Sequence, residues 1–295
     1  MKQRSSLCIE HLETMRSIIT IDAAMIFVHN VHTVWNQNMV TFALIFDIKG
    51  FFDFVNHQRL LSEIHKRHIP LEYLKWTANF LDKHEAAICV NSIRGSSKLV
   101  KNGISQGSPV SPILASFYLA DLLEVFQDMN ALLIPEHLKT TKPTNIGILI
   151  YVDDGKLTVS SMLIASNITL LAEAYKIIDQ WLWKAGLALD QDKCEIMHYT
   201  WRKKCRDPTT HIELTERDGS KTKILVTPTI WWLGIHFDKK LLFNKHVKKL
   251  SAKAKAAIGC IAMLSNTIWG LSHLNLCILY RICILPIMTY ASAIW

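Results

Sequence analysis

The stretch IGILIYVDDGKL, residues 146–157, places two adjacent aspartates, Asp153 and Asp154, between two apolar segments. The first segment reads as a buried strand because it is a short apolar run rich in isoleucine. The aspartates then mark a turn, so the whole stretch predicts a strand–turn–strand unit. Two ionised carboxylates side by side repel each other, which raises the question of what balances their charge.

The aspartate pair has two interpretations. In a turn, such a pair is more often a surface feature than a ligand site. The alternative is half of a Mg²⁺ site, because Mg²⁺ takes one or two carboxylates together with substrate phosphates. A third acid at a strand end would support this alternative, and Asp47, which closes the apolar run TFALIFD, is the candidate. Asp47 and Asp153 are the hardest to explain otherwise, since a buried unpaired aspartate is costly.

Charge is distributed unevenly along the 295 residues. The net formal charge is +8, and residues 239–295 hold all of it, with seven Lys, one Arg and no acidic residue. A charge confined to one end suggests contact with a polyanion, and the alternative is an ordinary solvated lysine-rich helix. The length and the 50% hydrophobic content suffice for one large or two modest domains with a core.

The cysteines and the chain ends bear on the compartment. Seven scattered cysteines without a C-x-x-C pair indicate neither a zinc site nor a disulfide framework, and they fit a reducing intracellular compartment. The first residues are too polar for a secretory signal. The last twenty residues are apolar, but Arg281 and Pro286 interrupt them, and a mid-membrane arginine costs roughly 2.5–3.5 kcal/mol. A buried helix is therefore favoured, with membrane insertion as the alternative.

The chain mixes helices and strands without regular alternation, which indicates an α+β fold. The predicted helices cover residues 21–35, 55–67, 70–83, 109–129 and about 165–185, and two more finish the chain. The predicted strands are 41–47, a pair turning at Arg94-Gly95, the strands flanking the aspartate pair, 194–199, a hairpin centred on Asp218-Gly219, and a single strand at 229–237.

The first of the two last helices is amphipathic. Five lysines fall within an arc of about 160° at helical spacing: Lys245, Lys248, Lys249, Lys253 and Lys255. Six apolar residues fall within about 100° on the opposite side: Val247, Leu250, Ala254, Ala257, Ile258 and Ile261. The lysine face predicts contact with a phosphate backbone, because each lysine contact releases condensed counterions.

Residues 102–122, NGISQGSPVSPILASFYLADL, place a Gly- and Ser-rich loop ahead of a long helix. Glycine lets a backbone approach a ligand closely. The loop is not a P-loop, because the chain has no G-x-x-x-x-G-K-[ST]. A loop that can approach a nucleotide, a candidate metal trio and a basic helix together describe a template-directed polymerase.

Five stretches resemble motifs A to E of reverse transcriptases, in the same order. They are FDIKGFFDFVNHQRLL (46–61), NGISQGSPVSPILASFYLADLL (102–123), YVDDGKL (151–157), AGLALDQDKCEIMHY (185–199) and WWLGIHFDKKLLFNKHV (231–247). One such motif alone says little, whereas five in order identify a family member. The resemblance runs from about residue 17 to the C-terminus and is closest to non-LTR (LINE-type) retrotransposons of the fungal kind.

The resemblance implies a right-hand polymerase fold: an antiparallel palm sheet with helices, partial fingers and a partial helical thumb. It divides the chain into a residual fingers segment (1–40), a palm with fingers insertions that carries motifs A to E (41–238), and a truncated basic helical thumb (239–295). We expect a fragment of a longer polyprotein or a decayed copy, without an endonuclease or RNase H segment within these residues.

The resemblance also implies roles for single residues. Asp47, Asp153 and Asp154, with the Ile48 carbonyl beside them, would hold two Mg²⁺ ions, for which Mn²⁺ can substitute. Lys193 would lie near the pyrophosphate and donate a proton. Phe52 would be the steric gate against a 2′-hydroxyl. The nucleotide pocket and the primer and template contacts would come from the following residues: Gln106 and Gly107 for the nucleotide, and Trp232, Leu233, Gly234, Lys245, Lys248, Lys249 and Lys253 for primer and template.

Several of these residues also have ordinary explanations. Phe52 and Trp232 could be packing residues, Lys193 a solvated loop lysine, and Gln106 a partner for loop backbone groups. Asp53 reads as the N-cap of the helix that follows. Ser105 stands where the family usually has proline, which loosens the loop and removes no ligand.

The predicted function is therefore an RNA-directed DNA polymerase, a nucleotidyltransferase that works with an RNA template, a DNA primer and dNTPs, without a membrane, inside the cell and by resemblance in the nucleus. Two alternatives stay open. An RNA-dependent RNA polymerase shares the palm but needs an Asp near Phe52 to read the 2′-hydroxyl, and here Asp53 is one step away. A catalytically inactive relic would at most bind RNA.

Overall fold

The computed structural model of this chain describes residues 20–82, 85–129, 144–202, 211–215, 219–265 and 270–295. The helices are α1 (Thr20–Asn36), α2 (Phe51–Phe54), α3 (His57–Lys66), α4 (Leu71–Leu81), α5 (Ser111–Met129), α6 (Ile164–Lys184), α7 (Asn244–Leu264), α8 (His273–Leu279) and α9 (Leu285–Thr289). A 3₁₀ turn covers Gln191–Lys193, and a π-helical segment, Tyr280–Ile284, joins α8 to α9.

Twelve strands lie within the described residues. They are β1 (Val40–Asp47), β2 (Glu85–Ala86), β3 (Cys89–Val90), β4 (Ile93–Arg94), β5 (Lys98–Leu99), β6 (Asn145–Tyr151), β7 (Asp154–Ser161), β8 (Glu195–Tyr199), β9 (His211–Thr215), β10 (Lys221–Leu225), β11 (Thr229–Trp232) and β12 (Ile235–Asp238). Four of them form an antiparallel sheet in the order β6-β7-β1-β8, and the others pair in hairpins or short ladders. The α+β prediction is confirmed.

The four-stranded sheet is buried on both faces, because α-helices and a hairpin cover it. Successive side chains of a strand point to opposite faces. On one face, which we call the core face, Phe42, Leu44 and Phe46 of β1 are fully buried in a cluster with residues of α5 and α6. Burying each such side chain stabilises the fold by about 1.5–3 kcal/mol.

The opposite face of the sheet, which we call the site face, ends in Asp47. Ala43 and Ile45 of β1 lie on it and pack in a second cluster with α1 and with the β11–β12 hairpin. Phe27 of α1 and Phe237 of β12 touch edge to face, with ring centres 5.6 Å apart. Helix α1 belongs to the predicted fingers segment 1–40, of which residues 1–19 lie outside the described residues. The predicted domain boundaries stay predictions.

Two strand predictions were wrong: one placed its turn at the wrong residues, and the other missed a turn. The chain reverses at Asn91-Ser92, between β3 and β4, and not at Arg94-Gly95; both turn residues have positive φ, 49° and 65°. Residues 229–238 form a hairpin and not one strand, because Leu233 and Gly234, with φ of 48° and 79°, reverse the chain. Two positive-φ residues suit a two-residue hairpin turn. The apolar sequence hides this turn, since leucine rarely adopts positive φ.

Two further predictions need correction. Asp53 lies inside α2, and the N-cap of α3 is Asn56, whose side chain accepts a hydrogen bond from the Arg59 backbone N–H at 2.9 Å. In α7, Leu250 and Ala254 of the apolar stripe are buried, whereas the other members are not. Those left exposed include Val247 and Ile258, and the buried set also includes His246, which the pattern had not singled out.

The chain ends differ from the prediction in one detail. Two helices were expected after the last strand, and the structure has α7 followed by a helical segment broken into α8, the π-helical segment and α9. The predicted Asp218-Gly219 hairpin is supported by the pairing of β9 with β10, and Asp218 itself lies outside the described residues. Within the part of the chain that the structure describes, no helix has the length and apolar character to cross a membrane.

Candidate functional site

The turn between β6 and β7 carries the aspartate pair. Tyr151 and Asp154 are cross-strand partners, so Val152 and Asp153 form a two-residue turn. Val152 has a φ of 60°. A β-branched residue rarely adopts positive φ, and such strain costs on the order of 1–3 kcal/mol. Backbone strain of this kind concentrates at functional sites, so this turn is a candidate for one.

Asp47 meets the pair from the neighbouring strand. The β1–β7 register places Asp47 directly opposite Asp154. Directly opposite residues of an antiparallel pair point to the same face, with Cβ atoms about 4.5–5.5 Å apart. Asp153 is the adjacent residue in the turn. The structure therefore brings the three predicted acids to one end of the site face.

Burial and neighbouring negative charge raise the pKa values of the aspartate pair. Burial, and then the charges of Asp153 and Asp47, raise the pKa of Asp154 to about 6, although Lys193 opposes the shift. The pKa of Asp153 is also raised, first by burial and then by Asp47. Half-buried acids with raised pKa values carry an excess of negative charge, which a cation would relieve.

Lys193 is the protein cation nearest to this charge. Its Nζ lies 2.7 Å from Asp47 Oδ2 and 3.5 Å from Asp190 Oδ2. The hydrogen bond to Asp47 raises the pKa of Lys193, so the side chain stays protonated at neutral pH. The Asp190 backbone N–H donates to the Asp47 carbonyl at 2.9 Å and fixes the loop that carries the lysine. Lys193 thus lies at the predicted site.

The carboxylate oxygens are not gathered as metal ligands. Among the described residues, no three His, Cys, Asp or Glu side chains are grouped closely enough to hold a metal ion. Asp47 is engaged with Lys193. The Ile48 carbonyl, a predicted ligand, accepts a hydrogen bond from the Phe51 N–H at 3.3 Å. The predicted metal set, Asp47, Ile48, Asp153 and Asp154, therefore remains a prediction.

The Gly-rich loop is hydrogen-bonded to the end of the Asp47 motif. The Ile104 N–H donates to the Phe52 carbonyl, and the Gly103 N–H to the Val55 carbonyl, both at 2.7 Å. Gly103 has a φ of 94°, and an added Cβ would lie 2.9 Å from the Phe52 carbonyl oxygen. Only glycine fits such a close approach at positive φ.

This link places three predicted nucleotide-pocket residues in one region. Phe52 is partly buried and packs edge to face on Phe51, with ring centres 5.5 Å apart. Gln106 and Gly107 follow the hydrogen-bonded residues, and both are exposed. Gly107 has a φ of 90° with open space around its Cα. The structure leaves both the pocket role and the packing role open for Phe52.

The β11–β12 hairpin carries the predicted primer contacts. The Trp232 side chain is 2% exposed and faces the sheet, so its ring does not line the surface. Its neighbour Trp231 is 49% exposed and lies on the outside. The hairpin turn is held by the C-terminal helical segment, because the Tyr290 hydroxyl donates to the Leu233 carbonyl at 2.8 Å. Gly234 lies so close to Tyr290 that an added Cβ would be 2.8 Å from its hydroxyl oxygen.

Sequence reasoning missed Trp231 as a surface residue beside the basic helix. The Lys249 and Lys253 ammonium groups lie 5.9 and 6.0 Å from its ring centre, and the His236 ring centre lies 4.2 Å away. Burial, and then the charge of Lys249, lower the pKa of His236 to about 4, so this histidine is neutral at pH 7. Adjacent tryptophans in WWLG were the available signal, since alternation turns only one of them outward.

Lys156 was also missed. It lies on β7, two residues after Asp154, and is fully buried. Burial lowers its pKa well below the ordinary value. The available signal was its position inside a run that otherwise reads as a buried strand, where a lysine is out of place. The predicted lysines of α7 (Lys245, Lys248, Lys249 and Lys253) are exposed instead, as expected for a nucleic-acid face.

Comparison with known proteins shows which family and which relatives the chain resembles. A family described as "Reverse transcriptase (RNA-dependent DNA polymerase)" matches residues 2–237. The RNA-directed DNA polymerase from mobile element jockey of Drosophila melanogaster is 23% identical over 227 residues, covering 74% of this chain and 22% of that protein. The probable RNA-directed DNA polymerase from transposon BS of the same fly is 25% identical over 260 residues, covering 86% and 26%.

These relatives refine the resemblance. They are non-LTR retrotransposon proteins, as predicted, but they come from flies, so the expected fungal kind finds no support among them. This chain spans about a quarter of their length. A solved telomerase structure from Candida tropicalis, in complex with the TWJ fragment of telomeric RNA, is similar with a TM-score of 0.47 at 11% identity, covering 97% of this chain and 46% of that one. The match over residues 2–237 shows that the chain belongs to the reverse transcriptase family.

Proposed function

We propose that this chain is the polymerase part of an RNA-directed DNA polymerase, which extends a primer 3′-hydroxyl with dNTPs on an RNA template. The observation that carries the proposal is the register of β1 and β7, which puts Asp47 opposite Asp154 with Asp153 in the adjoining turn. In a chain of the reverse transcriptase family, three acids at one strand end support catalysis of phosphoryl transfer.

The residues present fit Mg²⁺ by their donor chemistry. Carboxylate oxygens are the ligands that Mg²⁺ takes alongside substrate phosphates. The raised pKa values of Asp153 and Asp154 point to an excess of negative charge that a cation would relieve. Asp47, Asp153 and Asp154 would hold two ions, with the Ile48 carbonyl alongside if it leaves its hydrogen bond. Binding requires the carboxylates to reorient and Asp47 to release Lys193.

The bound ions would supply activation of the 3′-hydroxyl and stabilisation of the charge on the leaving pyrophosphate. The chain's own residues would do the rest. Lys193, once released from Asp47, carries an exposed proton that can be donated to the pyrophosphate. Phe52, whose backbone carbonyl is hydrogen-bonded to the Gly-rich loop, would exclude a 2′-hydroxyl. Gln106 and Gly107, both exposed, would border the incoming nucleotide.

The primer and template would lie along the hairpin and α7. The lysine face of α7 is exposed, and Trp231 stands beside it, so phosphates and a stacked base or sugar can be bound together. Since the Trp232 side chain is buried, this residue and its neighbours Leu233 and Gly234 would contact the primer through the backbone. An intracellular, nuclear site of action is part of the proposal and rests on the family alone.

Primer extension tests the proposal. An RNA template with an annealed DNA primer is incubated with the chain, Mg²⁺ and either dNTPs or rNTPs. We expect dNTP incorporation that falls by about 100-fold or more in Asp153→Asn, because loss of a metal ligand removes several kcal/mol of transition-state stabilisation. Asp192→Asn, an exposed acid next to Lys193, is the matched control and should retain activity. A preference for rNTPs would favour an RNA-dependent RNA polymerase instead.

A second candidate function is RNA binding without catalysis. The ungathered carboxylates and the Lys193–Asp47 ion pair favour it. Isothermal titration separates the two candidates. A polymerase binds dNTP together with Mg²⁺, whereas an inactive chain binds RNA in a salt-dependent way and shows no nucleotide binding.

A further inference from the structure

A lysine is sealed inside the site face, next to the candidate catalytic strand end. Lys156 is 0% exposed, and its Nζ has no hydrogen-bond partner among the described residues. Its cross-strand partners are Ile45 of β1 and Leu149 of β6, which are apolar. A buried amino group without a hydrogen-bond partner is costly, so its other surroundings must stabilise it.

Three aromatic rings surround the amino group. Its Nζ lies 3.3 Å from the ring centre of Phe27, 3.6 Å from that of Trp232 and 4.5 Å from that of Phe237. The rings are themselves buried, with exposures of 2%, 2% and 0%. Ring faces attract the positive ends of N–H bonds, which this amino group carries in either charge state. We call Lys156 and these three rings the aromatic cage.

The aromatic cage joins three separate parts of the chain. Phe27 belongs to α1, and Trp232 and Phe237 belong to the two strands of the β11–β12 hairpin. Lys156 belongs to β7, which begins at Asp154. The amino group therefore ties the hairpin and α1 to the strand that carries a candidate metal ligand.

The hairpin is held on two sides. Helix α7 reaches it by hydrogen bonds: the Lys245 ammonium donates to Thr229 Oγ1 at 2.6 Å, and the His236 N–H donates to His246 Nδ1 at 3.5 Å. On its outer side, the Tyr290 hydroxyl holds the turn by its hydrogen bond to the Leu233 carbonyl. On its inner side, the hairpin meets the sheet through apolar packing and the cage. Apolar packing alone is non-directional, whereas an amino group held over three ring faces specifies one position.

We propose that Lys156 is a positioning residue for the primer: through the aromatic cage it sets the height of the β11–β12 hairpin above the strand that starts at Asp154. The proposal rests on the proposed function, because it assumes that the hairpin contacts a primer. Lys156 touches neither nucleic acid nor the reacting atoms, since it is fully buried. Lys156 acts through the hairpin, so its replacement should change the affinity of the chain for the primer.

The principal variant is Lys156→Met. Methionine is unbranched and of similar length, and its sulfur packs favourably on rings, so it fills the cage without the amino group. The matched control is Leu157→Met, a buried neighbour on the same strand whose side chain points to the core face. A second variant works from α1: Phe27→Leu removes the nearest cage wall, and Val31→Ala, one helical turn away, removes buried carbon without removing a ring of the cage.

The experiment measures primer–template affinity by fluorescence anisotropy, the KM values for primer–template and dNTP, and the melting temperature. We expect Lys156→Met and Phe27→Leu each to weaken primer–template binding about tenfold. The double variant should lose no more primer–template affinity than either single variant, because both substitutions break the same contact. The KM for dNTP should not change, and the melting temperature of Lys156→Met should stay within about 4 °C of the wild type.

Three outcomes decide the proposal. Non-additive loss of primer affinity in the cage variants, with both controls near wild type, supports it. Wild-type primer affinity in a folded Lys156→Met, or additive losses with Phe27→Leu, overturns the positioning role and leaves the proposed function standing. A wild-type chain that binds no primer–template overturns the proposed function, and the positioning role with it.

Discussion

The two faces of the four-stranded sheet are built on opposite principles. The core face is apolar along β1, where Phe42, Leu44 and Phe46 are fully buried under α5 and α6. The site face begins in the same way, with Ala43 and Ile45, but carries Asp47 at its end and Lys156 in its middle. One strand therefore supplies both faces, and only one face contains charge.

This contrast shows where the sheet departs from stable apolar packing to carry functional groups. The core face follows the rule that buried strand residues are apolar and closely packed. The site face breaks that rule at three points: a valine at positive φ, acids with raised pKa values and a buried lysine. Local departures from the rules of folding are expected at functional sites. The following predictions test whether the two faces respond differently.

The largest effect should come from overfilling the core face. Gly155 lies opposite Phe46, and an added Cβ would be 2.1 Å from that ring, which no small movement can accommodate. Gly155→Ala should lower the free energy of unfolding by about 3 kcal/mol or more, measured by urea denaturation. Gly259→Ala is the control of opposite sign, because nothing lies within 4 Å of its added Cβ in α7.

Gly259→Ala should raise the free energy of unfolding by about 0.5–1 kcal/mol, because glycine is unfavourable inside a helix. Equal stabilities for Gly155→Ala and the wild type would contradict the close packing of the core face. The same result would remove the reason for a glycine directly after the aspartate pair.

Much of the core face could be predicted from the sequence, and less of the site face. The apolar run ending at Asp47 and the aspartate pair after another apolar run were visible, because alternation and strand ends are local features. The pairing register of the strands that carry these acids could not be predicted from the sequence. The family resemblance, carried by five motifs in order, suggested the three acids as one site, and antiparallel pairing then brought Asp47 opposite Asp154.

The features that were missed depend on contacts between distant segments. Lys156 is out of place in a run that reads as a buried strand, but the sequence does not show that Phe27 and Trp232 cover it. The turn at Leu233-Gly234 carries no asparagine or aspartate signal, and its conformation is fixed by packing and by Tyr290. The exposed members of the α7 stripe could not be predicted either, because periodicity shows which residues share a face and not what covers it.

A smaller effect should appear in the pH dependence of the site face. The folded pKa of Asp154, about 6, lies above its ordinary value, so the folded chain binds more protons than the unfolded chain between about pH 4 and pH 6. Stability from this group therefore falls as the pH rises through that window. In EDTA at pH 7, Asp154→Asn should be more stable than the wild type by roughly 1–2 kcal/mol, as solvent exposure reduces the full shift.

This difference should vanish near pH 3, below the ordinary pKa of 3.8, where Asp154 is protonated in both folded and unfolded wild-type chains. Added Mg²⁺ should reverse the order at pH 7, because a ligand that binds only the folded wild type stabilises it. Urea denaturation at a series of pH values checks both points. A gap between wild type and Asp154→Asn that does not change with pH would contradict the repulsion between the carboxylates.

The smallest effect concerns the surface beyond the hairpin. Lys249 and Lys253 flank the exposed Trp231 on α7. Replacing both with Gln should weaken binding of a primer–template several-fold and lower the slope of log K against log salt by about 1–2. The matched control replaces Lys221 and Lys223 with Gln, which removes the same charge from the β9–β10 hairpin. Both of these lysines pair with Glu213. Equal salt slopes for the two double variants would contradict the placement of nucleic acid on α7.

The central claim is that Asp47, Asp153 and Asp154 act together as one divalent-cation site at the end of the site face. The most direct test is a titration with Mn²⁺ in the presence of dNTP, in which electron paramagnetic resonance measures the free ion. We expect the wild type to bind Mn²⁺ and each of Asp47→Asn, Asp153→Asn and Asp154→Asn to bind at least about tenfold more weakly. Mn²⁺ affinity that is the same in the wild type and in the triple Asn variant would contradict the claim.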